Sequence, residues 1–232
     1  MKTIGVLGGM SWQSTEHYYR LLNEETARIR GGLHSAPILL ASVDFHHIEQ
    51  LQRAHDWHTA GRLLATEAQR LEAAGAELLI LATNTMHLVA PAIEDAVSIP
   101  FLHIADATAS VAHTAGFRRL GLLGTRFTME ESFYTDRLNR SGQFQIMVPD
   151  APARAQIDRV IFDELCLGIV RDESRRIYLS AVNALVAGGA DAVILGCTEI
   201  GMLVKATDTP TPLLDTTEIH ARAAVQAALT DG

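Results

Sequence analysis

The feature that most constrains this chain is an internal repeat. Ile4-Gly5-Val6-Leu7-Gly8 matches Leu120-Gly121-Leu122-Leu123-Gly124, and Tyr18 matches Tyr134 at the same spacing. Further on, Ala74-Gly75-Ala76-Glu77-Leu78-Leu79-Ile80-Leu81-Ala82-Thr83 matches Gly188-Gly189-Ala190-Asp191-Ala192-Val193-Ile194-Leu195-Gly196-Cys197. Pro100-Phe101-Leu102 then matches Pro212-Leu213-Leu214. One such match arises easily between any two α/β units. Three in the same order point to two copies of one unit.

Each copy reads as strands alternating with helices. Ile4–Leu7, Ile38–Val43, Leu78–Leu81 and Phe101–Ile104 have strand character, as do Leu120–Leu123, Phe144–Val148, Ala192–Leu195 and Leu213–Leu214. Helical patterns fill the gaps at Ser14–Arg30, Thr59–Ala74, Ile157–Gly168 and Ser174–Ala187. This alternation predicts an α/β protein of two similar lobes, each a mainly parallel sheet flanked by helices. Ligands of open α/β sheets sit beyond the carboxyl ends of the strands. The repeat puts Thr83 and Cys197 at equivalent strand ends, so the active site is expected between the lobes.

Composition removes several classes. A net charge of −8 with 17 scattered arginines argues against a nucleic-acid partner. No apolar run reaches the ~18 residues of a membrane span, so no membrane partner is expected. The chain enters a strand pattern directly after Met1-Lys2-Thr3, and Cys166 and Cys197 are its only cysteines. Two distant thiols make no disulfide framework, which suggests the cytoplasm. The only lysines are Lys2 and Lys205, at the terminus and in a polar, turn-like stretch. A pyridoxal cofactor needs a buried, activated lysine, and no dinucleotide fingerprint is present, so no cofactor is expected.

Cys197 ends an apolar strand and precedes Thr198-Glu199-Ile200-Gly201, which reads as a turn into a helix. A thiol at a helix N-terminus is acidified by the free N–H groups and the dipole, which suits a base or nucleophile. A free cysteine is commonly a small buried hydrophobe instead; the polar neighbours favour function here. Thr83-Asn84-Thr85 in the first copy suits binding of a carboxylate or amino group, or an ordinary helix cap. Gly5, Gly8 and Gly9 suggest a tight turn whose N–H groups face a small anion, and Arg126 is within reach of an acidic ligand. His46, His47, His55 and His58 cluster with Asp44 and Asp56 but match no metal-ligand spacing, so no metal is expected. Cys166 reads as helix packing.

These segments resemble the aspartate/glutamate racemase family. Gly8-Gly9-Met10-Ser11-Trp12, Asn84-Thr85-Met86-His87, Gly124-Thr125-Arg126, Gly196-Cys197-Thr198-Glu199-Ile200 and Asp215-Thr216-Thr217 carry the likeness, which runs nearly end to end. The resemblance implies a cofactor-independent racemase with two cysteines on opposite faces of the substrate Cα. Cys197 stands at the second catalytic position, and Thr83 replaces the usual cysteine at the first. It also implies substrate contacts at Met10, Gln52, Asn84, Thr85, Thr125, Thr198 and Glu199. The lysine that some members direct toward the carboxylates is missing, so an arginine or backbone N–H groups must substitute. The lobes would exchange their last strand and helix, giving a first lobe of 1–98 with 209–232 and a second of 99–208. The partner is then a small acidic amino acid, with a homodimer left open. Two alternatives remain: a single-cysteine decarboxylase of the same superfamily, and a protein that binds an amino acid without turning it over.

Overall fold

A computed structural model describes residues 1–230. The chain begins with β1 (Ile4–Gly8), α1 (Trp12–Arg30), β2 (Ile38–Ser42), α2 (Phe45–Arg53), α3 (Trp57–Ala73), β3 (Leu78–Leu81), α4 (Ala90–Glu94), β4 (Phe101–Leu102) and α5 (Ile104–Thr114). There follow β5 (Arg119–Gly124), α6 (Arg126–Glu130), α7 (Ser132–Leu138), β6 (Gln145–Met147), α8 (Ala151–Asp163) and α9 (Asp172–Ala187). The last elements are β7 (Ala192–Gly196), α10 (Ile200–Leu203), β8 (Leu213–Asp215) and α11 (Thr216–Leu229).

The strands form two parallel four-stranded sheets, ordered β2-β1-β3-β4 and β6-β5-β7-β8. Repeat-equivalent residues occupy equivalent rungs: Val6 pairs with Ile80, and Leu122 with Ile194. β1, β3 and β7 are buried along their whole length, which explains their unbroken apolar sequence. The paired glycines have a packing reason as well. A Cβ on Gly5 would lie 2.9 Å from the Ala76 Cβ, and one on Gly121 2.9 Å from Leu185 Cδ1.

The chain divides into two units, Met1–Ile104 with the segment from His220, and Ala105–Ile219. This differs from the expected boundaries at 98/99 and 208/209; residues 231–232 of the expected first lobe lie outside the described residues. The reason is hydrogen bonding. β4 pairs with β3 and β8 with β7, so each short strand stays in the sheet of its own half. Only the helices change units. In the first, Ala221, Ala224, Val225 and Ala228 of α11 pack in one cluster with Ile4, Val6, Tyr18 and Leu22. In the second, Asp106 of α5 receives two bonds from the Arg137 guanidinium, at 2.7 and 2.6 Å.

The expected helix Ile157–Gly168 is displaced toward the N-terminus. Asp150 caps α8 by accepting from the Ala153 N–H at 2.9 Å, and a proline fits its first turn. The helix stops at Asp163, and Leu165–Leu167 form a separate 3-10 turn closed by Gly168 at φ 74°.

Candidate functional site

In the first unit, β3 runs into Ala82 and then Thr83, whose N–H turns back to the Leu81 carbonyl at 2.9 Å. Thr85–Val89 form a 3-10 turn, and Asn84 makes no side-chain cap to it. The simple cap reading therefore does not account for Asn84. Thr83, Asn84 and Thr85 are all buried. His87 holds the segment down. Its Nε2 accepts from the Ile104 N–H at 3.2 Å, so its Nδ1 carries the proton and donates to the Thr83 carbonyl at 2.7 Å. Sequence reasoning missed this clamp, because nothing local to His87 signals Ile104.

Met10 and Met86 belong to one buried cluster beside this segment. Gln52 on α2 donates from Nε2 to the Met86 sulfur at 3.0 Å. Its Oε1 is buried and accepts nothing among the described residues. A buried amide oxygen without a donor is costly, so this position is suited to a ligand N–H. The glycine turn is tight for a steric reason: a Cβ on Gly9, at φ 93°, would sit 2.2 Å from the Val43 carbonyl oxygen. The Gly9 N–H, expected to face an anion, donates to Thr15 Oγ1 at 2.7 Å instead.

In the second unit, Gly124 pairs with Gly196, so Thr125 and Cys197 leave adjacent strands side by side. Thr125 caps α6, accepting from the Thr128 N–H at 3.3 Å. Arg126 beside it is exposed and pairs with Glu130 at 3.4 Å. Cys197, Thr198 and Glu199 are buried. One oxygen of Glu199, Oε2, accepts from Cys197 Sγ at 3.0 Å and from Thr198 Oγ1 at 2.7 Å. The other, Oε1, accepts from Cys166 Sγ at 4.0 Å. Cys166 is thus half-buried on a 3-10 turn against Glu199, rather than packed along a helix. The sequence gives no sign of this, since the two residues are joined only by the fold.

Cys197 is not acidified by a helix. α10 has four residues and starts three positions later, too short and too far to lend a useful dipole. Burial first, and the Glu199 carboxylate second, push the thiol well above its ordinary value. Burial likewise raises Cys166, with Glu199 adding to it. The two aspartates of the histidine-rich stretch have a structural role: Asp44 caps α2 and Asp56 caps α3. Among the described residues, no three His, Cys, Asp or Glu side chains converge as a metal site. None of the helices described is long and apolar enough to cross a membrane.

Two four-stranded parallel sheets of one strand order, each with a buried polar segment after its third strand in chain order, form the two-lobed α/β fold of aspartate and glutamate racemase structures. The chain belongs to the Asp/Glu/hydantoin racemase family, whose model matches residues 7–224. Similar proteins include a candidate Asp/Glu racemase from Yersinia pestis, 50% identical over 99% of this chain and 100% of that one, with a TM-score of 0.92. An aspartate racemase homologue from Pyrococcus horikoshii OT3 is 32% identical over 99% and 100% of the two chains, with a TM-score of 0.83. The broad-specificity amino-acid racemase of Bacillus subtilis (strain 168) is 22% identical over 97% of this chain and 98% of its own. The protein is an enzyme of the amino-acid racemase class.

Proposed function

We propose that the protein racemises an acidic amino acid, glutamate or aspartate, without a cofactor, using Cys197 as thiolate base and Thr83 at the opposite face of the substrate. The observation that carries this reading is the equivalence of two buried segments. Thr83 follows β3 and Cys197 follows β7, corresponding strands of two sheets with the same order. Met10, Gln52, Asn84, Thr85, Thr125, Thr198 and Glu199 hold the amino acid, with the orphan Gln52 Oε1 receiving the α-ammonium. None of these residues is basic, so the carboxylates are held by hydroxyls and backbone N–H groups. Neutral amino acids therefore belong in the test panel, as the broad specificity of the Bacillus subtilis relative also suggests.

A threonine hydroxyl is a far weaker acid than a thiol, whose reference pKa lies near 8.5. It cannot rest as an alkoxide, but it can donate a proton to a carbanion or hold a water that does. Enantiomers have equal free energy, so kcat/KM must be equal in the two directions of a simple reversible racemase. Only kcat and KM separately can differ. With a poor donor on the far face, return of a proton to the original face competes with inversion.

L-glutamate and L-aspartate turned over in heavy water test this reading by NMR and chiral chromatography. Deuterium is expected in the remaining L-enantiomer at least as fast as the D-enantiomer forms. Fully deuterated D-product beside unlabelled L-substrate would overturn the account of Thr83 as the weaker partner. A protein that only binds would hold the amino acid and leave it unlabelled. A single-cysteine decarboxylase would release carbon dioxide from its substrate.

A further inference from the structure

We propose that His87 is the positioning residue for Thr83, and that its hold on the Thr83 backbone sets how often the carbanion inverts rather than returning to its original hand. This rests on the reading of Thr83 as the far-face donor. Thr83 is fixed by both of its peptide groups: its N–H donates to the Leu81 carbonyl at 2.9 Å, and its carbonyl accepts from His87 Nδ1 at 2.7 Å. Its hydroxyl makes no hydrogen bond among the described residues, which leaves it for a substrate or a water. The imidazole is itself fixed. Nε2 accepts from the Ile104 N–H at 3.2 Å, at the start of α5. His103 and Phe101 pack against the ring, with centroids 4.3 and 5.6 Å away. A buried ring with both nitrogens bonded and two aromatic neighbours has one orientation, and it passes that orientation to the Thr83 carbonyl.

The second unit shows that the fold does not require this bond. The repeat equates Thr83 with Cys197 and His87 with Gly201. There the strand-end carbonyl, that of Cys197, accepts from the backbone N–H of Ile200 at 3.1 Å. A side chain in place of Gly201 has no room, because its Cβ would collide with the Asp215 carboxylate. One strand-end segment is thus held by its own backbone, and the other by a side chain that ties it to α5. The side-chain bond falls where a weak donor has to be aimed. A hydroxyl donates along a single O–H direction, and an ångström of misplacement can cost ~10²-fold in rate. In the step itself the O–H bond of Thr83, or of a water it holds, breaks as Cα–H forms with the carbanion's electron pair. Solvent then restores the proton to the oxygen, and His87 gives up none.

Two amides separate the two ends of the imidazole. In His87→Asn the side-chain NH₂ stands where Nδ1 stood and can still donate to the Thr83 carbonyl. In His87→Gln the terminal oxygen can accept from Ile104, but the donor to Thr83 is lost. The quantity read is the rate of D-enantiomer formation divided by the rate of deuterium wash-in at the α-carbon of L-glutamate or L-aspartate. Both outcomes leave the same carbanion, so the ratio depends neither on binding nor on the fraction of protein folded. It is expected to fall ~10-fold or more in His87→Gln and to stay within about twofold of the parent in His87→Asn. A merely structural His87 would lower the two rates together and leave the ratio level in both variants, and the proposal would fall. Equal losses of the ratio in the two variants would overturn it too, since the bond to Thr83 would not be the one that matters. Should a variant fail to fold, NMR of the unaltered protein with isotope-labelled histidine still decides. His87 is expected to be neutral with its proton on Nδ1; a proton on Nε2 would overturn the proposal. A failure of the racemase reading looks different: the unaltered protein would then neither exchange nor invert either amino acid.

Discussion

Thr83 and Cys197 occupy equivalent strand ends but carry groups of very different acidity. Replacing Cys197 by serine is nearly isosteric, yet moves the proposed base far out of range. Cys197→Ser is expected to abolish racemisation while circular dichroism and thermal melting stay close to the parent; full activity would put the chemistry elsewhere. Thr83→Cys should raise turnover by ~10²-fold, the lower end of what a positioned acid or base supplies. It should also make D-product form faster than label enters the L-enantiomer. An unchanged rate in a folded variant, followed by chiral chromatography, would mean that the two residues do not serve one substrate. That the two positions are equivalent was legible from the repeat alone. The thiol's environment was not: a helix start suggested an acidic cysteine, whereas burial and the Glu199 carboxylate give the opposite.

At the scale of elements, α11 depends on a histidine that folding keeps neutral. His220 is fully buried. Its Nε2 lies 2.8 Å from the Leu102 carbonyl and must donate, so its Nδ1 accepts from the Tyr18 hydroxyl at 2.9 Å. Burial pulls its pKa down from 6.5 to about 4, partly opposed by the Leu102 carbonyl. The folded value is below the unfolded one, so between them the unfolded chain binds the proton more readily. Stability from this group is complete above pH ~6.5 and is lost as pH falls toward ~4, by on the order of 3 kcal/mol at the lower end. Urea unfolding at a series of pH values should show that decline. His220→Gln, which keeps an amide donor but does not titrate, should flatten that part of it. An equally steep decline in the variant would assign the acid sensitivity to other groups. The helix boundaries that sequence missed have the same kind of cause. α8 begins just after Asp150 because a side-chain cap and a proline tolerated in the first turn sit there, outside the apolar periodicity that marked the expected helix.

For the whole molecule, every group assigned to the chemistry belongs to the polypeptide. Exhaustive chelation and removal or addition of pyridoxal phosphate are expected to leave the chiral-assay rate unchanged; a clear response to either would end the cofactor-free reading. The two-lobed parallel α/β fold was determined by the sequence itself, because a repeat of apolar strands and amphipathic helices leaves few ways to bury both faces of each sheet. The polar strand-end segments followed from the same repeat. What the sequence did not decide was which sheet the short strands Phe101–Leu102 and Leu213–Asp215 join and which unit each following helix covers, since that turns on backbone bonds to β3 and β7 and on a fit of small α11 residues against β1 and α1. Nor could it bring Cys166 to Glu199, or His87 to Ile104. These contacts join residues far apart in the chain, and hydrogen-bond geometry exists only once tertiary packing has fixed both partners.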